Sequence, residues 1–133
     1  MGRLASFAII IVALASTAAL AEAPELTEAP SISASELHER RESGTAPLVI
    51  DVRTAGEYAS GHIPGAVNIP FDEVAQRISE IDAPEGVALY CMVGPRARKG
   101  ETALLASGYE HVLHLEGGLA AWQKAGFPVE DTQ

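Results

Sequence analysis

Basic residues are scarce in this chain: 9 lysines and arginines face 18 acidic residues, for a formal charge of -9 at pH 7. Such a balance repels polyanions and excludes a general nucleic-acid-binding surface, so any anion site must be a local cluster of cations. Cysteine is scarcer still. The one thiol, Cys91, allows no intramolecular disulfide, and with 4 scattered histidines it makes no structural zinc site. Neither a metal nor another cofactor is expected. Long apolar runs are confined to the N-terminus, which excludes a polytopic membrane protein, and the sequence contains no internal repeat or low-complexity block. At 133 residues, 47% hydrophobic and 20% charged, what remains is one globular domain rather than a disordered, collagen-like or coiled-coil chain.

At the N-terminus, Arg3 precedes an apolar run from Leu4 to Ala15 broken only by Ser6, and small residues follow, ending in Ala19-Leu20-Ala21. This is the layout of a secretory signal peptide over residues 1–21. It predicts cleavage after Ala21 and a periplasmic or secreted product with no stable membrane association. The competing reading, an uncleaved anchor over residues 4–21, is close to the shortest span that crosses a bilayer. It is interrupted by Ser16 and Thr17 and lacks a basic stop-transfer cluster. Residues 22–30, EAPELTEAP, have little to bury and read as a disordered acidic leader, leaving residues 31–133 as the domain. In an oxidising compartment structural thiols are normally paired, so a lone cysteine is conspicuous unless it is simply a buried apolar side chain.

Within the domain, Ser33 followed by Glu36 matches a capping box, and a helix is expected over residues 34–42 until Gly44 stops it. Leu48-Val49-Ile50, ending at Asp51, reads as a strand buried on both faces. Glycines and prolines then leave room only for a short strand over 66–69. Val74, Ile78 and Ile81 recur at spacings of four and three, which predicts an amphipathic helix over 71–81. A second buried strand spans 87–90 and runs into Cys91, a helix follows over 96–106, and a third apolar strand spans 112–115. Gly117-Gly118 then introduces a helix carrying Leu119 and Trp122, the latter read as core. Alternating strands and helices imply an α/β fold: an open, mainly parallel sheet of about five strands with helices on both faces. Ligands bind such sheets at the carboxyl ends of the strands, where Asp51, Cys91 and Glu116 fall.

The segment 91–100 reads CMVGPRARKG, a thiol at the end of a buried strand followed by a turn into a helix. A helix start offers unpaired N–H groups and partial positive charge, which favour a thiolate, the nucleophilic form of the sulfur. Cys91 is therefore the candidate nucleophile, with Met92, Val93, Gly94, Pro95, Arg96 and Ala97 as the loop that cradles a substrate. Gly94 is expected to take a backbone conformation closed to other residues, and Pro95 suits the first helical turn. Arg96 is the candidate anion holder because its fork matches an oxyanion, whereas Arg98 and Lys99 either steer anions or form an ordinary polar face.

Three motifs in order resemble the rhodanese family over nearly the whole domain. Asp51-Val52-Arg53, Glu57-Tyr58, the run from Gly61 to Ala66 and Asn68-Ile69-Pro70 are similar to its first signature. Cys91-x-x-Gly94-x-Arg96 resembles its active-site loop, and Leu115-x-Gly117-Gly118 with Ala121-Trp122 its closing motif. The single domain, signal peptide and acidic leader make the chain similar to periplasmic, phage-shock-type members. The resemblance implies a sulfurtransferase in which Cys91 takes the outer sulfur of a donor such as thiosulfate. The resulting persulfide then passes it to cyanide or a thiol, which splits one transfer into two displacements. Its partners would be a small sulfur donor and a thiophilic acceptor, a protein acceptor included. Ala97 departs from the family, which often has serine there.

Asp51 and Arg53 are read as a structural ion pair or cap, and His62 as loop support, since nothing links it to Cys91 as a base. Two other readings compete. A non-catalytic module would bind partners or carry a persulfide. A cysteine phosphatase or arsenate reductase has a similar loop but places its arginine six residues after the cysteine, and here that position is Ala97.

Overall fold

The computed structural model describes residues 28–132. The signal peptide expected over 1–21 and most of the leader, residues 22–27, lie outside the described residues. Leu48–Asp51 (β2) and Val87–Tyr90 (β4) form where the sequence is continuously apolar, and β4 is buried at every position. With Ser31–Ile32 (β1), Val67–Asn68 (β3) and Val112–Leu115 (β5) they make a five-stranded sheet in the order β1-β5-β4-β2-β3. Every pairing is parallel. Side chains alternate across the sheet, so Ile50, Val87, Leu89 and Val112 feed one core and Val49, Tyr90 and Leu115 the other.

Pro95–Ala106 (α3) packs on the first face through Ala97 and Leu104. Ala34–Glu42 (α1) and Gly118–Lys124 (α4) cover the second through Leu37, Leu119 and Trp122. Trp122 is fully buried, its indole N–H donating to the Pro128 carbonyl at 2.8 Å. The expected α/β architecture, with helices on both faces of an open parallel sheet, is what the chain adopts.

Three expectations are corrected. The segment 71–81 is not one amphipathic helix but two 3-10 turns, Val74–Gln76 and Ile78–Glu80. Val74 is still buried and Ile78 and Ile81 still pack on the core, because apolar spacing reports a buried face rather than a helical pitch. In a 3-10 turn residues i and i+3 eclipse, which is where Arg77 and Glu80 pair at 2.7 Å. The leader does not run unstructured to Pro30: Ala29 is buried in the first core, and the Pro30 carbonyl accepts the His114 amide at 2.8 Å. At Ser33 the cap is half of the expected box. Its hydroxyl accepts the Glu36 amide at 3.1 Å, while the Glu36 carboxylate turns to Arg40 at 2.6 Å.

Candidate active site

Parallel strands deliver their carboxyl ends to one edge of the sheet, and Cys91 follows β4 at that edge. Its side chain is 2% exposed and packs in the core beneath α3. The loop after it is clasped from outside by the start of α4. The Leu119 amide donates to the Cys91 carbonyl at 2.9 Å and the Ala120 amide to that of Met92 at 3.0 Å. Gly118 makes this approach feasible. At its φ of +58° a Cβ would stand 2.5 Å from the Cys91 oxygen and 2.7 Å from that of Met92.

With the loop carbonyls used in this way, its amides are left over. Among the described residues, the N–H groups of Met92, Val93, Gly94, Arg96 and Ala97 donate to no protein acceptor, and Pro95 has none to satisfy. These are the donors that a helix start leaves free, in the loop that follows Cys91. Gly94, expected to take a backbone conformation closed to other residues, has a ψ of -44°. Its φ is 165°, and an added Cβ would meet only the His114 ring at 3.7 Å, an ordinary contact. Ala97 is fully buried under the loop, a methyl in the first core.

The loop's cations are all engaged. Arg96 binds Glu57 through both nitrogens, at 2.7 and 3.0 Å. That bond, with the Thr54 amide, holds the Glu57 carboxyl down at about 2, and it raises Arg96 in turn. Glu57 is itself fixed, because Thr54 and Glu57 form the reciprocal capping box of Ala55–Ser60 (α2). Arg98 donates to the Ala29 carbonyl at 2.9 Å and pairs with Glu28 at 3.3 Å. Lys99 lies over the Phe71 ring at 5.4 Å.

Asp51 and Arg53 form the structural pair read from the sequence, fully buried beside the strand end. Arg53 donates to both Asp51 oxygens, at 3.0 Å from Nε and 2.6 Å from Nη2, and also to the Gly61 carbonyl at 2.7 Å. Tyr90 extends the network, donating to Asp51 at 2.8 Å and accepting the Ile63 amide at 3.1 Å. Burial, then the Asp51 charge, pushes the Tyr90 hydroxyl far above its ordinary range. At His62, read from the sequence as loop support, Nδ1 lies 2.7 Å from the Tyr58 carbonyl, Nε2 lies 3.2 Å from Glu130, and the ring stacks on Tyr58 at 3.7 Å.

One pair was missed. His114 on β5 and Glu101 on α3 meet at 2.7 Å, both buried, directly behind Gly94. Burial raises the Glu101 carboxyl to about 8, while burial and then Arg98 lower the His114 imidazole. The available signal was Glu101 itself, on the same helical stripe as Ala97 and Leu104 and therefore facing the core.

Residues 33–125 match the model of the rhodanese-like domain. A protein named sulfurtransferase from Allochromatium vinosum is 39% identical over 82 residues, covering 62% of this chain and 77% of that protein. A putative sulfur carrier protein from Bacillus subtilis is 29% identical over 93 residues, covering 70% of this chain but 50% of that one, and other relatives are likewise about twice as long as the match. Among solved structures, the rhodanese-like domain of an Anabaena protein superposes with a TM-score of 0.70 at 32% identity, covering 77% of this chain and 80% of that one. Together with the five parallel strands and the loop after β4, these matches place the chain in the rhodanese-like domain family, which has relatives named as sulfurtransferases.

Proposed function

We propose that this chain is a sulfurtransferase that moves a sulfane sulfur from a donor such as thiosulfate to cyanide or a thiol, with Cys91 as carrier, after export to the periplasm or medium. The observation that carries the reading is the set of unpartnered amides from Met92 to Ala97 around the residue that bears the thiol. In the first displacement the Cys91 sulfur attacks the outer sulfur of thiosulfate, a new S–S bond forms, and sulfite leaves with the electron pair of the bond that breaks. The outer sulfur of the persulfide anion then sits among the free amides, which need no reorganisation to stabilise it. In the second displacement the acceptor attacks that outer sulfur and Cys91 departs as thiolate. No step requires a general base, which agrees with His62 bonding elsewhere.

Purified chain incubated with thiosulfate and cyanide is expected to release thiocyanate, and Cys91→Ser to release none. Equal silence of both proteins toward several sulfur donors would overturn the reading. The carrier alternative draws on the Bacillus subtilis relative and on the tethering of Arg96 by Glu57. Stoichiometric gain of one sulfur without turnover would favour it. A phosphatase would need its cation where the buried methyl of Ala97 stands.

A further inference from the structure

We propose that Glu101 and His114 are positioning residues for sulfur loading on Cys91: the proton they share keeps the back of the amide cradle free of net charge, and its loss slows the capture of an anionic donor. The proposal rests on the Cys91 sulfur-transfer reading above and adds a control of the same site by pH. Its first ground is placement. His114 Nδ1 lies 2.7 and 3.1 Å from the two Glu101 oxygens. The opposite edge of the ring, Nε2 and Cε1, faces Gly94, 3.7 and 3.8 Å from where a Cβ would stand. Gly94 is the N-cap of α3 and carries one of the free amides, and its carbonyl accepts the Arg98 amide at 3.1 Å. A charge on the pair therefore lies one residue behind the donors of the cradle.

The second ground is the company the pair keeps. Glu101 and His114 are both buried, so water screens them little. The charged groups that face them come from three places. On α3, Arg98 stands 3.9 Å from Glu101 but is shared with Glu28, ahead of β1, at 3.3 Å. Glu116, just past β5, acts on His114 with the sign opposite to that of Arg98. Within the sheet His114 is flanked by Ser31 of β1 and Leu89 of β4, which bring no charge. One cation thus already serves two carboxylates, and an ionised Glu101 would be the third.

A single proton decides the charge. With a carboxylic acid beside a neutral imidazole, or a carboxylate beside an imidazolium, the pair is neutral. Without that proton it carries one negative charge, whichever atom held it. Burial keeps the proton on Glu101 up to about 8 and pushes the His114 imidazole below its ordinary 6.5. The neutral pair therefore spans pH 6.5 to 8 and the negative pair lies above. A unit charge about 10 Å from another, at an effective dielectric constant of about 20 and with salt present, changes a rate or equilibrium constant about tenfold. The negative pair opposes the Cys91 thiolate and the incoming anion alike, so the two effects share one sign.

The test compares wild type with Glu101→Gln, which keeps a donor to Nδ1 and cannot ionise. The second-order rate constant for loading one sulfur from thiosulfate onto Cys91 is followed by intact mass from pH 6.5 to 9.5, at constant ionic strength and below the melting temperature of both proteins. The ratio of wild type to variant, in which the ordinary titration of the thiol cancels, is expected to fall about tenfold across that range with its midpoint near 8. A flat ratio would overturn the proposal and leave the Cys91 reading intact. A second measurement needs no sulfur chemistry: in Cys91→Ser protein the amide resonance of Gly94 is expected to shift with an inflection near pH 8, and to lose that inflection when Glu101→Gln is added. A Gly94 resonance that stays still, or moves alike with and without the Glu101 carboxyl, would also overturn the proposal alone. No loading of wild type from thiosulfate or polysulfide at any pH would overturn the Cys91 reading, and this proposal with it.

Discussion

Glu101→Gln isolates the cost of burying an ionisable pair behind the loop. Glu101 is 1% exposed, and in the folded chain its carboxyl holds its proton up to about 8, against an ordinary value of 4.5. Between those values the folded chain binds one proton that the unfolded chain has lost. Stability is therefore fully present below 4.5 and drains away as pH rises through 8, by at most about 1.4 kcal/mol per pH unit. His114 acts in the opposite sense: its lowered imidazole contributes stability above the ordinary 6.5 that is lost as pH falls. The window that isolates Glu101 therefore begins at 6.5. From pH 6.5 to 8 the carboxyl alone removes about 1.5 kcal/mol, or about 6 °C or more of melting temperature for a domain of this size.

Glutamine fits the same space, donates to His114 Nδ1 as the protonated acid does, and does not titrate. Thermal melts of both proteins across this window, in buffers of constant ionic strength, read the difference directly. The wild type is expected to lose stability toward pH 8 and Glu101→Gln to hold level. Parallel curves would show that Glu101 ionises in the folded chain as freely as in the unfolded one, and the account of the buried pair would fall.

Asp51→Ala leaves the buried Arg53 guanidinium without its carboxylate and is expected to cost about 3–5 kcal/mol in urea denaturation. Tyr90→Phe removes one donor to Asp51 and the acceptor of the Ile63 amide, and is expected to cost about 1–3 kcal/mol by the same measurement. Gly118→Ala places a methyl 2.5 Å from the Cys91 carbonyl at a φ of +58°; both displace the loop, so sulfur loading on Cys91 is expected to fall more than tenfold.

The parts of the fold legible in the sequence are those that bury apolar side chains on both faces. Leu48–Asp51, Val87–Tyr90 and Val112–Leu115 stand out because parallel strands between two helix layers need no polar alternation. Ser31–Ile32 was invisible: two residues behind Pro30 carry no periodicity, and they become a strand only because β5 offers an open edge. Cys91 was legible by its place between a buried strand and a Gly-Pro turn. The state of Arg96 was not, because its partner Glu57 lies 39 residues away and reads locally as a helix cap. Arg98 and Lys99 resemble a basic patch in the sequence, and only the packing shows them turned to Glu28 and Phe71.

Among the described residues, four of the five buried charged or imidazole side chains, Asp51, Arg53, Glu101 and His114, lie beneath or behind the loop that carries the sulfur, and His62 is the exception. Asp51, Arg53 and Tyr90 saturate one another beneath its strand, and Glu101 and His114 do so behind Gly94. The amides of α4 occupy its carbonyls. No buried side-chain nitrogen or oxygen among the described residues lacks a partner. Within that satisfied surround the N–H groups of Met92 to Ala97 keep no protein acceptor of their own. A cradle so held gains most from a charge concentrated on one atom. The outer sulfur of the proposed Cys91 persulfide is such an atom.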